Sequence, residues 1–305
     1  MKNFRVCLYL AVAAAVVSCK TENEKSEQQT IETATEIEVQ GHRGDRGNFP
    51  ENSLPAFISA VKKGADVIEL DVVISKDNKV VVSHEPFMSS VYMLSPAGDS
   101  IAIQDERSYN LYTMTYDSIK KFDGGSKGNK NFTQQNKLKV YKPLLSEVID
   151  SVENYIAVNK LKPVKYNIEI KSVKEEYGIS QPQPDVFIDM VMSVIKEKEI
   201  VDKINIQSFD PAPLNVLKSK YPEVKIAFLT SIPGIEKNMA QLDFVPEIYS
   251  PNYKLVNKAF VDSLREKNVK LIPWTVNNPD DIDRMIELKV DGIITDYPER
   301  VIDKL

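Results

Sequence analysis

Histidine is rare in this 305-residue chain, and both of its occurrences lie in segments that also carry acidic residues. His42 and His84 are the only imidazoles, and imidazole is the side chain best suited to proton transfer near neutral pH. Glu69 and Asp71 alternate with apolar residues in a β-branched run, so on a strand they would share one face. This combination indicates general acid/base chemistry beside a cluster of carboxylates.

The carboxylates predict a metal site. Two carboxylates that point into one pocket repel each other and require a cation or bound protons. Glu169, near the end of another predicted strand, supplies a third oxygen ligand, and no cysteine is close in sequence. Such a set suits a hard divalent ion, so we expect one Ca²⁺ or Mg²⁺ rather than zinc. The alternative is that Glu69 and Asp71 form structural ion pairs with Arg43 and Lys171.

Fixed positive charge accompanies these groups. Arg43 directly follows His42, and Lys171 lies close behind Glu169 on the same predicted strand. Together with a divalent ion, the two cations would hold a phosphate group and stabilise the charge of its transition state. Simple charge balance of the carboxylates is the other interpretation of these cations.

The elements that must position these residues alternate between β-branched runs and helical patterns. This order predicts an α/β protein with a parallel sheet and outer helices, and it favours a TIM (β/α)8 barrel over an open doubly wound sheet. The first strand is not followed by the G-x-G-x-x-G turn of a dinucleotide fold. The predicted strands are Ile37–His42, Val67–Val73, Tyr166–Lys171, Ile204–Phe209, Lys225–Thr230, Glu247–Pro251, Lys270–Val276 and Gly292–Asp296. The predicted helices are Leu54–Lys63, Leu144–Ser151, Asp185–Glu197, Ala212–Lys220, Asn257–Lys267 and Pro279–Leu288.

One run departs from the alternation. Val80–Ser83 follows Val67–Val73 after a gap too short for a helix, so we predict a hairpin. A two-residue turn at positions 77 and 78 would place Asp71 opposite His84. The returning arm of the hairpin would then carry the second histidine to the level of the carboxylates.

Residues 86–140 contain no convincing βα unit. An insertion at the C-terminal end of a barrel strand commonly covers the active site, so we expect a small inserted cap after the second histidine. A disordered surface loop is the alternative, but the segment is rich in large apolar side chains that favour packing. These are Tyr92, Tyr109, Leu111, Tyr112, Met114 and Tyr116.

The first residues of the chain have the pattern of a bacterial lipoprotein signal. Lys2 and Arg5 precede an apolar run over 8–17 that is too short to span a bilayer. The Val-Val-Ser-Cys sequence that ends at Cys19 resembles a lipobox, in which the cysteine receives the lipid. The interpretation assigns 1–18 to a signal peptide; an ordinary secretory signal with a chance cysteine is the alternative.

A polar segment follows the predicted lipidation site. Residues 19–38 are rich in Glu, Thr and Gln, a composition that cannot bury enough apolar surface to form a core. We therefore expect an acidic flexible tether, followed by a catalytic domain over 39–305. The predicted location is the bacterial cell envelope, with the protein attached to a membrane by its lipid on the periplasmic side or exposed at the surface.

An ordered set of motifs resembles the glycerophosphodiester phosphodiesterase family. Each motif alone is weak, but the set spans about residues 40–300 in the order that the family shows. The family is a TIM barrel with an inserted cap. The motifs are Gly41-His42-Arg43-Gly44, Pro50-Glu51-Asn52-Ser53, Gly64 to Val72, Val80 to His84, Glu169-Ile170-Lys171, Gln207-Ser208-Phe209-Asp210, Trp274-Thr275-Val276-Asn277 and Asp291 to Pro298.

The resemblance implies metal-dependent hydrolysis of glycerophosphodiesters to an alcohol and glycerol 3-phosphate, and it implies a role for each matched residue. His42 and His84 are the implied acid/base pair, and Asn52 is the implied cap of the helix that follows it. The implied metal ligands are Glu69, Asp71 and Glu169; the phosphate contacts are Arg43 and Lys171; the cleft residues are Gln207, Phe209 and Trp274; and Glu51 orients Arg43 or His42.

The chain departs from the family pattern after the second histidine. The family usually has His-Asp there, whereas this chain has His84 and Glu85, whose longer side chain could still support the imidazole. The alcohol half of the substrate is therefore open, and a lysophospholipid or sugar phosphodiester is an alternative. An inactive surface-binding lipoprotein is a further one, although all seven matched groups are retained. The net charge of −5 gives no electrostatic case for a nucleic-acid partner.

The lipobox predicts that Cys19 anchors the protein. We expect the wild-type chain to incorporate radiolabelled fatty acid and to fractionate with membranes, whereas Cys19→Ala loses both properties because the acyl chains have no attachment point. Cys7→Ala is the matched control, since that residue precedes the predicted cleavage site. A wild-type chain that never acquires the label would contradict the lipobox.

Overall fold

A computed structural model describes residues 37–305, and the strands of this part of the chain belong to one sheet. Eight strands run parallel in the order β8-β7-β6-β5-β4-β2-β1-β9, and β3 pairs with β2 in the antiparallel direction. The fold is the predicted α/β barrel of the TIM type. The strands are β1 (Glu38–Gly41), β2 (Val67–Ile74), β3 (Val80–Val82), β4 (Lys165–Ile170), β5 (Ile204–Ser208), β6 (Lys225–Thr230), β7 (Ile248–Pro251), β8 (Lys270–Leu271) and β9 (Gly292–Thr295).

The residues that follow β8 bring the two ends of the sheet together. Trp274 N donates to the carbonyl of Pro251 (3.1 Å) in β7, and Val276 N donates to the carbonyl of Ile294 (2.9 Å) in β9. Regular pairing nevertheless ends at Leu271, well before the predicted end of this strand. Pro273 explains the difference, because proline has no N–H to donate to a sheet ladder.

Helices between the parallel strands form the outer layer and bury one apolar face. In α1 that face consists of Ala56, Phe57, Ala60 and Val61, the spacing of an amphipathic helix. All six predicted helices are present, although α3 extends eight residues beyond its predicted end at Ser151. The helices are α1 (Leu54–Lys63), α2 (Tyr116–Ile119), α3 (Leu145–Asn159), α4 (Pro184–Glu197), α5 (Pro211–Lys220), α6 (Ile235–Met239), α7 (Lys258–Glu266), α8 (Pro279–Glu287) and α9 (Pro298–Ile302).

The β2–β3 hairpin is present, but its predicted register is wrong by one residue. Val72 pairs with Val82, and Ser83 N donates to the carbonyl of Asp71 at 3.0 Å, so Asp71 lies opposite Ser83 rather than His84. The turn contains three residues instead of two. Asn78 ends the turn in the left-handed region (φ 59°), a conformation that asparagine tolerates better than most residues.

Residues 86–140 pack as a small unit with an apolar cluster of their own. Met88, Met93, Leu111 and Ile119 are fully buried in this cluster, which extends onto Val73 and Val81 of the hairpin. The regular structure of the unit consists of α2 and two short 3₁₀ turns. The hairpin therefore supports the cap on one side and carries a histidine toward the barrel mouth at its end.

The barrel interior contains a chain of buried amide groups. Asn167 Nδ2 donates to Gln40 Oε1 (2.8 Å) and to Gln207 Oε1 (3.0 Å), and Asn205 Nδ2 donates to Asn167 Oδ1 (2.6 Å). At the upper end of this chain, Gln207 Nε2 donates to Glu69 Oε1 at 2.9 Å. Buried polar groups must be hydrogen-bonded, and these satisfy one another.

The described residues start inside the predicted tether. Ile37 is buried and Glu38 opens β1, so the barrel begins two residues before the predicted boundary at 39. The signal peptide, Cys19 and most of the tether lie outside the described residues. None of the helices in 37–305 is long and apolar enough to cross a membrane.

Candidate active site

Most of the predicted site residues line one cavity at the carboxyl ends of the barrel strands; Glu51, Asp71 and Glu85 lie behind its walls. The cavity has a volume of about 190 Å³. It is lined by His42, Arg43, Arg46, Glu69, His84, Glu169, Lys171, Gln207, Phe209, Leu229, Trp274, Thr275 and Ile294. Both histidines, two of the acidic residues and both predicted phosphate contacts therefore face a common space.

Sheet register brings the three predicted metal ligands together. Glu69 and Asp71 lie two positions apart on β2, and Asp71 is the direct partner of Glu169 on β4. One oxygen atom from each of the three side chains lies within 4.8 Å of the others. All three side chains are buried, with exposed fractions of 1%, 0% and 7% for Glu69, Asp71 and Glu169.

The electrostatics of this cluster fit a divalent cation. Burial raises the pKa of Glu69 well above its ordinary value, and the neighbouring Asp71 and Glu169 raise it further. Asp71 Oδ1 is buried without a hydrogen-bond partner in the described part of the chain. A buried carboxylate oxygen of this kind is costly unless a cation or proton lies against it. The all-oxygen donor set matches hard ions such as Ca²⁺ and Mg²⁺.

Arg43 is tied to the carboxylates through both its backbone and its side chain. It has a left-handed backbone (φ 53°), and its N–H donates to Glu69 Oε2 at 2.8 Å. The guanidinium donates to Glu51 Oε1 at 2.7 Å, and its Nε lies 3.3 Å from Asp71 Oδ2. Glu51 thus orients Arg43 rather than His42.

Asn52 does not cap α1, so that prediction is wrong. Ser53 is the cap, since it has the required extended backbone and its hydroxyl accepts from Ala56 N at 3.4 Å. Asn52 instead has a left-handed backbone (φ 52°) that directs its side chain to the strand beside it. Its Nδ2 donates to Asp71 Oδ2 at 2.8 Å, and its Oδ1 accepts from Asp71 N at 3.3 Å. Asn52 positions a metal-ligand candidate.

His42 is held by an aspartate to which the sequence analysis gave no role. Nδ1 of the imidazole lies 2.6 Å from Asp296 Oδ1, and Asn277 Nδ2 donates to the other oxygen of Asp296 at 2.7 Å. Burial lowers the pKa of His42, an effect that the Asp296 charge partly offsets. Burial alone would raise the pKa of Asp296, but His42, Arg46 and the hydrogen bond from Asn277 together outweigh burial and lower it to about 2. Asp296 is therefore an ionised partner that fixes the imidazole orientation.

The pairing of β1 with β9 could have revealed this contact from the sequence. Gly41 is the direct partner of Thr295, so the next residues along the two strands are His42 and Asp296. In a closed barrel the last strand lies beside the first one. An acidic residue at the end of the last strand is therefore expected close to the residue that ends the first strand.

His84 has a different environment. Its Nδ1 lies 3.0 Å from Glu85 Oε1, and Tyr92 of the cap donates to Glu85 Oε2 at 2.6 Å. Burial opposes ionisation of Glu85, but hydrogen bonding to His84 and the nearby charges lower its pKa below the ordinary range. The His84 side chain is 32% exposed, compared with 13% for His42. The cap thus supports the more accessible histidine through the longer carboxylate that departs from the family pattern.

The remaining predicted residues form the walls of the cavity. Lys171 Nζ lies 2.6 Å from Glu169 Oε1 and 3.7 Å from Asp71 Oδ1. Phe209 and Trp274 make an edge-to-face contact with 5.3 Å between ring centroids, and Phe209 is 40% exposed at the rim. The walls therefore combine a cation at the carboxylate side with aromatic surface on the other side.

Arg46 lines the cavity as well, although sequence reasoning did not select it. Its Nε donates to Glu51 Oε2 at 2.8 Å, and its guanidinium lies 3.7 Å from Asp296 Oδ1. The guanidinium also lies over the ring of Phe132 in the cap, 4.6 Å from its centroid. Because Asp296 and Phe132 are far from Arg46 in sequence, only the fold reveals these two contacts.

The mouth of this TIM barrel holds two histidines, a carboxylate cluster and two cations. These groups are arranged as in a phosphate-ester hydrolase. Residues 42–300 match the sequence model of the Glycerophosphoryl diester phosphodiesterase family. The chain belongs to this family and is accordingly a phosphoric diester hydrolase.

Individual relatives agree with the family match. A glycerophosphodiester phosphodiesterase of Caldanaerobacter subterraneus is 33% identical over 87% of this chain and 96% of its own length. A solved structure of a proposed glycerophosphoryl diester phosphodiesterase from Silicibacter pomeroyi is similar with a TM-score of 0.79 and 26% identity, over 88% of this chain and 94% of that one. An Oleispira antarctica phosphodiesterase, solved with the product sn-glycerol 3-phosphate, shares the fold with a TM-score of 0.69 and 21% identity, over 87% and 95% of the two chains.

The contact between His42 and Asp296 generates a prediction about proton binding. Because the Asp296 charge raises the pKa of His42, Asp296→Asn should move the titration of that imidazole to lower pH. Only two histidines are present, so imidazole NMR signals over a pH series resolve both of them. Asp303→Asn, at an exposed position, is the charge-matched control and should leave the titration in place. If the pKa of His42 is unchanged or higher in Asp296→Asn, the carboxylate does not stabilise the imidazolium.

Proposed function

We propose that this enzyme hydrolyses glycerophosphodiesters to an alcohol and glycerol 3-phosphate, with His42 and His84 as its acid/base pair. The observation that carries the proposal is that these two imidazoles line one cavity with the carboxylate cluster. Each is hydrogen-bonded to its own carboxylate partner. The product bound to the Oleispira antarctica protein is the product expected of such a cleavage.

The environments of the two histidines suggest a division of labour. Burial lowers the pKa of His42, so its imidazole is neutral near pH 7 and its free nitrogen can accept a proton from the group that attacks phosphorus. Asp296 then stabilises the imidazolium that forms. His84, on the more open side and supported by Glu85, delivers a proton to the departing alcohol oxygen as its bond to phosphorus breaks. Over the whole reaction, a water oxygen replaces the alcohol oxygen on phosphorus.

Glu69, Asp71 and Glu169 would hold one divalent cation, Ca²⁺ or Mg²⁺. When bound, such an ion supplies Lewis-acid neutralisation of phosphate oxygens.

The cations of the chain bind the substrate phosphate. Burial would lower the pKa of Lys171, but the charges of Glu169 and Asp71 outweigh burial and raise it, so the ammonium stays charged. Arg43 is likewise kept protonated by Glu51 and Asp71. Both side chains line the cavity, where their positive charge stabilises the negative charge that develops on the phosphoryl oxygens.

In this proposal the enzyme lies in the bacterial cell envelope, either in the periplasm or at the cell surface. The lipobox at Cys19 and the acidic segment before β1 would attach the barrel to a membrane of the cell envelope, with the polar tether separating the two. Water-soluble diesters released from lipids are substrates that such a location supplies.

The central test measures choline release from glycerophosphocholine and from lysophosphatidylcholine, and it identifies the second product as glycerol 3-phosphate or lysophosphatidic acid. We expect turnover of the glycerophosphodiester and a loss of about 100-fold or more in kcat for His42→Ala and for His84→Ala, the usual contribution of a general acid or base. The double variant should be little worse than either single one, because the pair acts as a unit.

The pH profile separates the two histidines. The wild type should give a bell-shaped curve, His42→Ala should lose the acid limb, and His84→Ala should lose the alkaline limb. KM should change less than kcat, since Arg43 and Lys171 remain. A variant with near-normal turnover at every pH would remove its histidine from the mechanism, and release of fatty acid-bearing product alone would favour the lysophospholipid alternative.

The metal site has a test that does not depend on turnover. Addition of Ca²⁺ or Mg²⁺ to chelator-treated protein should raise the unfolding temperature, because the ion binds the folded state and relieves repulsion among buried carboxylates. Glu169→Gln should lose most of this rise and most activity, since it removes a ligand charge at nearly constant size. Glu266→Gln, an exposed control, should behave as wild type. Full activity after chelation, with no thermal shift in the wild type, would refute the metal site.

A further inference from the structure

A second and larger concavity lies in the cap. Its volume is about 550 Å³, compared with about 190 Å³ for the cavity that holds the histidines. We refer to it as the cap groove. Lys127, Lys130 and Lys137 line it together with the apolar side chains of Ile103 and Phe132. Nothing in the chemistry proposed above uses this groove.

The charge of the cap groove is one-sided. None of the described residues that line it is acidic, whereas the chain as a whole has a net charge of −5. Lys130 and Lys137 form no ion pair within residues 37–305, and Lys127 Nζ donates to a backbone carbonyl, that of Ser90, at 2.5 Å. Glu106 is close by, but its carboxylate accepts from Ser90 N at 2.5 Å. The groove therefore presents three ammonium groups without carboxylate partners.

The lysines are positioned rather than scattered. Gly128 leaves room for the Lys137 side chain, because a Cβ at that position would lie 2.7 Å from Lys137 Cε. Gly128 also has a left-handed backbone (φ 78°), which favours glycine and turns the chain between Lys127 and Lys130. Lys127 and Lys130 therefore lie on either side of this turn, and the Lys137 side chain lies next to it.

Arg46 and Phe132 form the boundary between the cap groove and the active-site cavity. Arg46 lines the cavity and lies over the ring of Phe132, which lines the groove. The segment after Phe132 is attached to the same loop, since Gln135 Nε2 donates to the carbonyl of Arg46 at 2.8 Å. A substrate whose phosphodiester lies among the histidines could therefore extend past Arg46 into the groove.

From this arrangement we propose that the cap groove is a subsite for a second anionic group of the substrate, a phosphate or phosphodiester carried by the leaving alcohol. This inference rests on the proposed function. A row of unpaired cations favours a second negative charge and disfavours a quaternary ammonium group such as choline. The enzyme would then select glycerophosphodiesters that carry more than one negative charge. Such a substrate would lie against Arg46 where it extends from the cavity into the groove.

The experiment compares three substrates that differ in the charge of the alcohol. These are glycerophosphocholine, glycerophosphoglycerol and 1,3-bis(glycerophospho)glycerol, whose alcohols are cationic, neutral and anionic. We expect the wild type to have its highest kcat/KM for the anionic substrate. This preference should shrink as salt is added, because Lys130 and Lys137 are exposed to solvent and Lys127 is only half-buried. The variant Lys127→Gln/Lys130→Gln/Lys137→Gln should lose about tenfold or more in kcat/KM for that substrate, mainly through KM, and less than twofold for glycerophosphocholine.

A matched variant controls for net charge. Lys62→Gln/Lys121→Gln/Lys139→Gln removes three exposed lysines that do not line the groove, and it should keep the wild-type preference. Equal kcat/KM losses for all three substrates in the groove variant, or the same loss of preference in the control variant, would overturn the subsite.

A binding measurement distinguishes failure of the subsite from failure of the proposed function. Titration calorimetry with glycerol 1,3-bisphosphate uses the His42→Gln/His84→Gln protein, with and without the three groove substitutions, so no turnover is needed. A loss of affinity of about tenfold when the lysines are removed supports the anion subsite even if none of the three diesters is hydrolysed. Unchanged affinity refutes the subsite even if glycerophosphocholine is a good substrate.

Discussion

Mutual repulsion among three buried carboxylates is the constraint on which the rest of the site depends. The pairing of β2 with β4 brings Glu69, Asp71 and Glu169 together, and this pairing is part of the barrel itself. Fixed cations and hydrogen bonds offset part of this repulsion, and Arg43 and Asn52, which donate to Glu69 and Asp71, both have left-handed backbone conformations beside the cluster. The strain of such a conformation persists where the surrounding structure determines it, and it is common at functional sites.

The two histidines show how one barrel mouth provides two proton environments. His42 belongs to the barrel itself, because its partner Asp296 follows the strand that closes the sheet. His84 belongs to the hairpin, and its partner Glu85 is held by Tyr92 of the cap. One imidazole is therefore oriented by a rigid parallel sheet and the other by an inserted unit with a separate core. The cap thus helps to position one of the two proposed acid/base residues.

Much of this arrangement follows from local sequence pattern. The alternation around Glu69 and Asp71 has a period of two and the apolar face of α1 a period of 3.6, and short sequence windows reveal both. The predicted hairpin register is wrong because one additional turn residue, Lys76, shifts every pair by one position. The contacts of Asp296, Asn52 and Arg46 were missed for a different reason. They depend on which strand ends become neighbours and on backbone angles that composition does not encode.

The amide chain inside the barrel has a direction. Asn205 donates to Asn167, which donates to Gln207 on one branch and to Gln40 on the other, and the two branches end on the carboxylates of Glu69 and Glu38. A terminal carboxylate can only accept, so its charge determines which way each amide above or below it is turned. The two carboxylates therefore fix the orientation of every side-chain amide between the mouth of the barrel and its opposite end.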